Sequence, residues 1–562
     1  MQIPFRLWFY SICSGILLSI PWLVDSVGLL SLFTFVPLLY VGEYVASIKN
    51  RVSILQYFFV VYIGLWVWTL CSVWWLVNST LVGLLVSLFF YPLCMSIPFV
   101  LSQIIRRKMG NISGYFSLIV FWISLEWLSL NFDFSWPWLV LGNAFARSVE
   151  LVQWYQYTGV LGGTFWILLV NVLLFELINP LRLRRKSISQ PSSPRGLKQP
   201  MSVKPPLRRR LGDWSNQIKI VNRKIQLSLV IIIVLPIACS IYRFENYKEK
   251  GSQSEWVIVQ PNIDSYTEKF SGMKSSEQIS KMLKLADSVI TNKTTFLLLP
   301  ETAIPTMLFE NNLNESSEIK QLQAFIEKYQ NLTIICGAIT VRKYNFNRDG
   351  RQNYYLIKGT SGTFVQYNSA LSISKNDIQI YRKSKLLPGV ETMPLAKYFP
   401  IVNTLLFNFG GQGGSFGTQD ERTVFKNGKD TFATIICYES EFGAYVGEFA
   451  QNGAQTIALI TNDGWWGNTP GYIQHLSYSR LRAIELRRDI PRSANTGISC
   501  LINQRGEILE PTKYGVADVR KVIVSANTEI SFYAKHGDYI GKYCLWMALL
   551  FLMGIVVKNK FM

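Results

Sequence analysis

The sequence predicts a two-part fold. A membrane all-α bundle of eight transmembrane helices carries an α/β domain of layered sheets and helices. Three observations predict it. The chain is 562 residues long, enough for more than one domain. It is 49% hydrophobic, with 34 Phe, 27 Tyr and 17 Trp, and its mean hydropathy is +0.20. That is too apolar for one ordinary soluble domain and too polar for a bundle alone. Finally, apolar stretches of about 20 residues, the length that crosses a bilayer, crowd the first half and recur at the end, while residues 244–540 alternate strand and helix patterns.

The spans fall at roughly 5–22, 27–46, 53–76, 80–103, 114–131, 162–179, 225–243 and 541–557. The first lacks a strongly basic start and more spans follow at once, so it reads as a retained helix rather than a cleaved leader. Loop charge sets the orientation. "SIKNR" (47–51), "IIRRKMGN" (104–111), the Pro-, Ser- and Arg-rich segment 180–224 and the tail "VVKNKFM" are basic. The alternate loops near 24–26 and 77–79 carry no Lys or Arg, and 132–161 carries only Arg147. Lys and Arg favour the cytoplasmic side. Both termini are therefore expected in the cytoplasm and residues 244–540 in the periplasm. The expected division is 1–243, a seven-span domain with 180–224 as a disordered basic loop; 244–540, the outer α/β domain; and 541–562, a last helix and tail.

The formal net charge is +20, much of it in the 180–224 loop. It therefore points to topology and anionic headgroups, and no nucleic-acid-binding motif accompanies it. The segment "FDFSWPWLVLGNAFARSVELVQWYQYTGV" (132–161) reads first as an interfacial aromatic belt. The alternative is a surface that guides a lipid or supports the α/β domain.

In the α/β domain, "EWVIVQPNI" (255–263), "TTFLLLPETAIP" (294–305), "LTIICGAITV" (332–341), "QNYYLIKG" (352–359), "GTFVQYN" (362–368), "DIQIYRKSKLLPG" (377–389), "TFATIIC" (431–437), "TIALITNDGWWG" (456–467) and "GISCLINQRGEI" (497–508) read as strands with their turns. Helical spacing covers 276–290, 316–330 (with a capping-box start), the stretch after Cys437 up to Gly453, and 475–489.

Of eight cysteines, Cys336, Cys437 and Cys500 lie in this domain, and none forms a CxxC pair or a zinc-type spacing. The only histidines are His475 and His536, so a His-rich metal site is excluded, and His475 reads as structural. Three strand ends carry reactive groups: Glu301 in "LLLPETAIP", Lys383 in "IYRKSKLLPG", and Cys437 in "ICYE". Each alone is ordinary: a surface Glu, a solvated Lys, a core Cys. Together they supply a base for a thiol and a fixed ammonium for an oxyanion, an acyl-transfer set without histidine. Cys437 is also expected near helix N–H groups that favour thiolate.

These contexts resemble the nitrilase (carbon–nitrogen hydrolase) superfamily, and most closely its membrane branch, the bacterial apolipoprotein N-acyltransferase family. The resemblance rests on "VQPNI" (259–263), "PETAIP" (300–305), "YRKSKLLPGVETMPL" (381–395), "ICYE" (436–439), "TNDGWWG" (461–467), "QHLSYSRLRAIELRRDIPRSANTGIS" (474–499) and "WPWLVLGNA" (136–144). It implies a nitrilase-like α-β-β-α sandwich. It assigns Cys437 as nucleophile, Glu301 as general base, Lys383 as oxyanion stabiliser and Glu391 as a supporting acid. Tyr438 and Glu439 match the positions that this branch uses after the nucleophile. Trp465 and Trp466 are candidate linings of the acyl or headgroup site. Phe270 stands roughly where the family often has Trp. The implied partners are a phospholipid acyl donor, typically phosphatidylethanolamine, a diacylglyceryl-apolipoprotein acceptor and the bilayer. No cofactor is implied, because a thioester stores the transfer potential, and nothing demands more than a monomer.

The segment "FPIVNTLLFNFGGQGGSFG" (399–417) suggests a mobile lid with glycine hinges, or equally a plain glycine loop. A membrane-tethered amidase is the alternative activity. A transporter would need more buried ionisable residues in its spans than Glu43, Glu126 and Glu176.

Overall fold

In the computed structural model, residues 4–47, 53–132, 135–179, 207–329, 331–345, 355–356, 362–392 and 416–560 are described. The first helices are α1 (Phe5–Leu23), α2 (Val36–Ser47), α3 (Ile54–Val73), α4 (Leu81–Met109), α5 (Asn111–Asn131), α6 (Tyr155–Ile178) and α7 (Leu207–Asn246). With a last helix at the C-terminus, eight segments among the described residues are long and apolar enough to cross a membrane. Their bounds follow the sequence reading closely. The second span is composite, a 3-10 turn (Gly28–Phe33) followed by α2. The α1–α3 crossing is close because both helices present glycine: a Cβ on Gly15 would meet the Gly64 carbonyl at 2.2 Å. The expected disorder of 180–224 is corrected in part, because α7 already runs from Leu207. Beyond Pro206 the sequence holds no further proline before Pro236 and is rich in Leu, Arg, Gln and Lys, which favour helix. Residues 180–206, the rest of that basic segment, lie outside the described residues. So do 48–52 of the first basic loop and 393–415, which include 399–415 of the candidate lid.

The segment 135–146 is not a belt. Trp138, Leu139, Val140 and Leu141 are buried, and the segment wedges between the bundle and the α/β domain. The Trp138 carbonyl accepts from Trp22 Nε1 at 3.1 Å and from Tyr478 Oη at 2.7 Å. Tyr91 Oη donates to the Leu139 carbonyl at 2.9 Å. Glu126 fixes the wedge from below, accepting from Leu141 N–H (2.8 Å), Trp122 Nε1 (2.8 Å) and Thr164 Oγ1 (2.7 Å). Glu43 pairs with Arg106 inside the bundle. These two acids thus have structural partners, as buried charges in a membrane interior require.

The α/β domain then runs β1 (Ser252–Gln260), α8 (Ser275–Asp287), β2 (Thr294–Leu298), β3 (Ile304–Phe309), α9 (Ser317–Ile326), β4 (Thr333–Lys343), β5 (Tyr355–Leu356), β6 (Thr363–Ile373) and β7 (Ile378–Arg382). It continues with β8 (Phe425–Asn427), β9 (Asp430–Ile436), α10 (Gly443–Gln451), β10 (Thr456–Thr461), α11 (Pro470–Leu486), β11 (Ile490–Ala494), β12 (Cys500–Ile502), β13 (Ile508–Leu509), β14 (Asp518–Ala526), α12 (Phe532–His536) and the last span α13 (Tyr539–Lys560).

Two sheets form. One has the order β14-β1-β2-β4-β6-β5, with β3 beside β4 and β7 beside β6; the other has the order β13-β12-β11-β10-β9-β8. Strand alternation explains the layers. Trp256 and Phe296 stack at 4.4 Å and meet Phe432 of the other sheet at 6.0 and 5.1 Å, filling the space between sheets. Their neighbours Val257, Val259 and Leu297 point the other way, into a separate core with Ile279, Met282, Leu283 and Ala286 of α8. Those four recur at helical spacing, so α8 must cover that face. On the second sheet, α10 and α11 bury their faces in the main core. The result is the expected α-β-β-α sandwich.

Strands β3, β8, β11 and β14 and helix α12 escape the sequence reading. Strand β11 reads "IPRSA", in which Pro, Arg and Ser mask a buried strand. The α9 start is also simpler than a capping box: Ser316 Oγ accepts from Glu318 N–H at 3.2 Å, and the Glu318 carboxylate turns onto the Ser316 and Ser317 hydroxyls.

One buried acid yields a pH prediction. Asp489, just before β11, is 2% exposed; one oxygen accepts from Ser525 N–H at 2.7 Å and the other has no partner. Burial pushes its pKa up to about 8. The folded pKa thus lies above the unfolded value of about 3.9, so this group's contribution to stability falls as pH rises from about 4 to about 8 and then levels off. Asp489→Asn keeps an acceptor and cannot ionise. Its melting temperature should match the parent's near pH 4, begin to exceed it by pH 5, and exceed it by several degrees at pH 8, as read by thermal unfolding in detergent.

Candidate active site

Three strand ends converge where the two sheets face each other. Glu301 follows β2; the pairing continues past the strand through Leu299 N–H to the Ile335 carbonyl at 2.8 Å. Lys383 follows β7, its N–H donating to the Asn368 carbonyl of β6 at 2.8 Å. Cys437 follows β9 in the other sheet. All three sit where regular pairing stops, on backbone that the sheets hold rigidly.

Lys383 is 1% exposed and Glu301 6%. The Lys383 Nζ lies 2.8 Å from Glu391 Oε1 and 3.4 Å from Glu301 Oε1. Asn368 Nδ2 donates to the same two oxygens, at 2.8 Å to Glu301 and 3.0 Å to Glu391. The second Glu391 oxygen accepts from Leu387 N–H at 2.8 Å. Burial alone opposes the Lys383 charge, but Glu391 and then Glu301 outweigh it, and the ammonium is held above its ordinary value.

Cys437 is half-buried. Its thiol is pushed well up, first by burial and then by the Glu301 charge, against the opposing pull of Lys383 and the Thr461 hydroxyl. The expected help from a helix N-terminus is not realised. A 3-10 turn over Cys437–Glu441 intervenes, and α10 starts only at Gly443.

Cys437 has φ +49°, left-handed for a non-glycine residue. A buried set of polar groups holds that turn. The Cys437 carbonyl accepts from Ser440 Oγ at 2.9 Å and lies 3.2 Å from His475 Nε2. His475 Nδ1 lies 3.1 Å from Asp463 Oδ1, and Arg492 Nη2 donates to Asp463 Oδ2 at 2.7 Å. Burial would raise the Asp463 pKa, but Arg492 and His475 hold it well below the usual carboxylate range.

The remaining predicted residues divide. Tyr438 is buried; its Oη donates to the Ser135 carbonyl at 2.9 Å and its ring packs on Phe442 and Trp138. It therefore joins the site to the bundle. Glu439 is fully buried, accepting from Tyr381 Oη (2.6 Å), Tyr445 Oη (2.7 Å), Ser384 N–H (2.8 Å) and Ile436 N–H (2.9 Å). It ties the Lys383 end to the Cys437 end. Trp465 and Phe270 stack on each other, with Tyr266 at the edge of Trp465; Phe270 is 40% exposed. Trp466 departs from the pair. It is buried against Trp75, Trp138 and His475, so it packs the junction rather than a surface.

Sequence reasoning missed Asn368, which sits mid-strand in "FVQYN" without a motif, and Lys269, whose Nζ donates to the Glu301 carbonyl at 2.8 Å.

Residues 258–524 match the family model described as carbon-nitrogen hydrolase. Residues 14–173 match the one described as apolipoprotein N-acyltransferase N-terminal domain. The chain belongs to the apolipoprotein N-acyltransferase family. Family relatives of that name extend over nearly the whole chain. The protein from Chlorobaculum tepidum is 28% identical over 98% of this chain and 97% of its own. That from Geobacter metallireducens is 26% identical over 97% and 94%. That from Thermotoga maritima is 24% identical over 94% and 90%.

Asn368 offers a direct probe of the carboxylate pair. Asn368→Leu removes two hydrogen bonds to charged groups, each worth about 1.5–3 kcal/mol. Even partial loss in the transition state should slow acyl-transfer turnover about 10- to 100-fold, with substrate dependence little changed. Steady-state kinetics on the purified variant check this.

Proposed function

We propose that this protein completes lipoprotein maturation by moving an acyl chain from a phospholipid to the N-terminal amine of a diacylglyceryl-cysteine, through a thioester on Cys437. The observation that carries the reading is the convergence of a half-buried thiol with the Glu301–Lys383–Glu391 cluster, in a domain joined to a membrane bundle. The family relatives named above carry the same activity in their names.

In the first half-reaction, Glu301 takes the Cys437 proton as sulfur attacks the ester carbonyl. Lys383, kept charged by its two carboxylates, faces the developing oxyanion. The carbon–oxygen bond then breaks, Glu301 returns the proton to the leaving alkoxide, and a lysophospholipid departs. In the second half-reaction, the acceptor amine attacks the thioester and gives a proton to Glu301. The carbon–sulfur bond breaks and that proton restores the thiol. The sum is ping-pong transfer with no net change in the protein. Glu391 holds Lys383 in place, while Tyr438 and Glu439 fix the nucleophile's turn to the bundle and to the Lys383 strand.

The loop charges support a periplasmic α/β domain with both termini in the cytoplasm. Division into 1–243, 244–540 and 541–562 accords with that arrangement, and a monomer suffices for it. The stacked Phe270 and Trp465 offer an aromatic surface for lipid or headgroup.

Intact mass after incubation with phosphatidylethanolamine tests the reading, with Cys437→Ala as control. The expected result is one acyl mass on the parent alone, discharged by a diacylglyceryl-cysteine peptide. An adduct discharged only by water would favour a hydrolase, and no adduct on folded protein would overturn the role of Cys437.

A further inference from the structure

Lys269 takes no part in the mechanism above, yet it is only 2% exposed. Lysines are seldom buried so fully without a carboxylate at the ammonium. Here the hydrogen-bond acceptor is a main-chain oxygen, the Glu301 carbonyl, at 2.8 Å. The segment that carries Lys269 is itself well fixed. Lys269 N–H donates to the Asp264 carbonyl at 2.9 Å, and Gln278 Nε2 donates to the Lys269 carbonyl at 2.8 Å. Tyr266 Oη lies within hydrogen-bond distance of the carbonyls of Asn78 (3.0 Å) and Trp465 (3.2 Å), its one proton shared between them.

The backbone it grips is unusual. Thr302, next to Glu301, has φ +52°, a left-handed value that a β-branched residue seldom adopts. The neighbouring strand presses against this turn. A Cβ on Gly337 would lie 2.4 Å from Thr302 N and 2.7 Å from Glu301 Cα. Such backbone persists only where its surroundings over-determine it. A charge-assisted hydrogen bond to the peptide between Glu301 and Thr302 is one such restraint.

We propose that Lys269 is a positioning residue for the general base: it holds the Glu301–Thr302 peptide in its left-handed turn, aims the Glu301 carboxylate toward Cys437, and ties that turn to the segment bearing Tyr266 and Phe270. The inference rests on the reading of Glu301 as base. Burial lowers the Lys269 pKa to about 8 against the pull of Glu301, so the ammonium is retained at neutral pH at a cost that an apolar side chain would not incur.

The test is Lys269→Met in the full-length protein in detergent or vesicles. Thioester formation with phosphatidylethanolamine is followed by rapid quench and intact mass. The expected result is acylation slowed 10- to 100-fold, an unchanged phospholipid concentration for half-maximal rate, and a melting temperature equal to or above the parent's. Adding Thr302→Asn, which accepts a left-handed φ more readily, should recover part of the lost rate. A merely structural lysine would give none of that recovery. Should the Met variant fail to accumulate, Lys269→Gln, which keeps an N–H donor on a shorter stem, is judged by the same rate and the same recovery. If the parent acylates and the Lys269 variant acylates as fast, or if Thr302→Asn recovers nothing, the inference falls while the reading of Cys437 stands. If the parent itself forms no thioester, the reading fails first.

Discussion

The site depends on one buried ammonium facing two carboxylates. A charge the size of Lys383 costs several kcal/mol to strip of water. A carboxylate about 4 Å away returns about 4 kcal/mol at the effective dielectric of 20 that suits such sites. One acid roughly offsets the burial; two exceed it. Glu391 at 2.8 Å and Glu301 at 3.4 Å therefore keep Lys383 charged with a margin, and Asn368 neutralises part of the repulsion between them. Burial, and then the same Glu301 charge, push the Cys437 thiol well up. The Glu301 charge thus acts on both the Lys383 ammonium and the Cys437 thiol.

The rest of the architecture serves that arrangement. Glu301 and Lys383 come from one sheet and Cys437 from the other, so the sandwich core of Trp256, Phe296 and Phe432 sets their separation. Glu439 joins the two sheets at the site itself. Tyr438 reaches Ser135, and Trp466 packs on Trp75 and Trp138. The Cys437 turn is therefore fastened to the membrane bundle as firmly as to its own sheet. An enzyme whose substrates carry acyl chains needs such a fixed relation between thiol and bilayer.

The sequence made the spans legible because a bilayer imposes a length and a hydropathy that few other constraints mimic. It exposed Glu301, Lys383 and Cys437 because each follows an apolar strand in a recognisable context. It hid what depends on the third dimension. Asn368 is an unremarkable mid-strand amide until β6 is placed beside both carboxylates. Lys269 looks like a solvated lysine in "YTEKF" and becomes a buried clamp only once that segment folds over Glu301. Strand β11, "IPRSA", carries a buried arginine for Asp463, so its polar residues concealed a central strand. Segment 135–146 has the composition of an interfacial belt, and only its contacts with Trp22, Tyr91 and Tyr478 reveal a wedge between domains. The helix-dipole argument for Cys437 failed because a single 3-10 turn moved α10 away.

The most direct measurement is the rate of Cys437 alkylation by iodoacetamide against pH, read by peptide mass. A thiol raised by burial and by Glu301 predicts slow alkylation at pH 7 that climbs steadily with pH beyond the range of an ordinary cysteine. Fast alkylation already at pH 6, flat through neutrality, would mean a resting thiolate and would contradict a nucleophile that waits for its base.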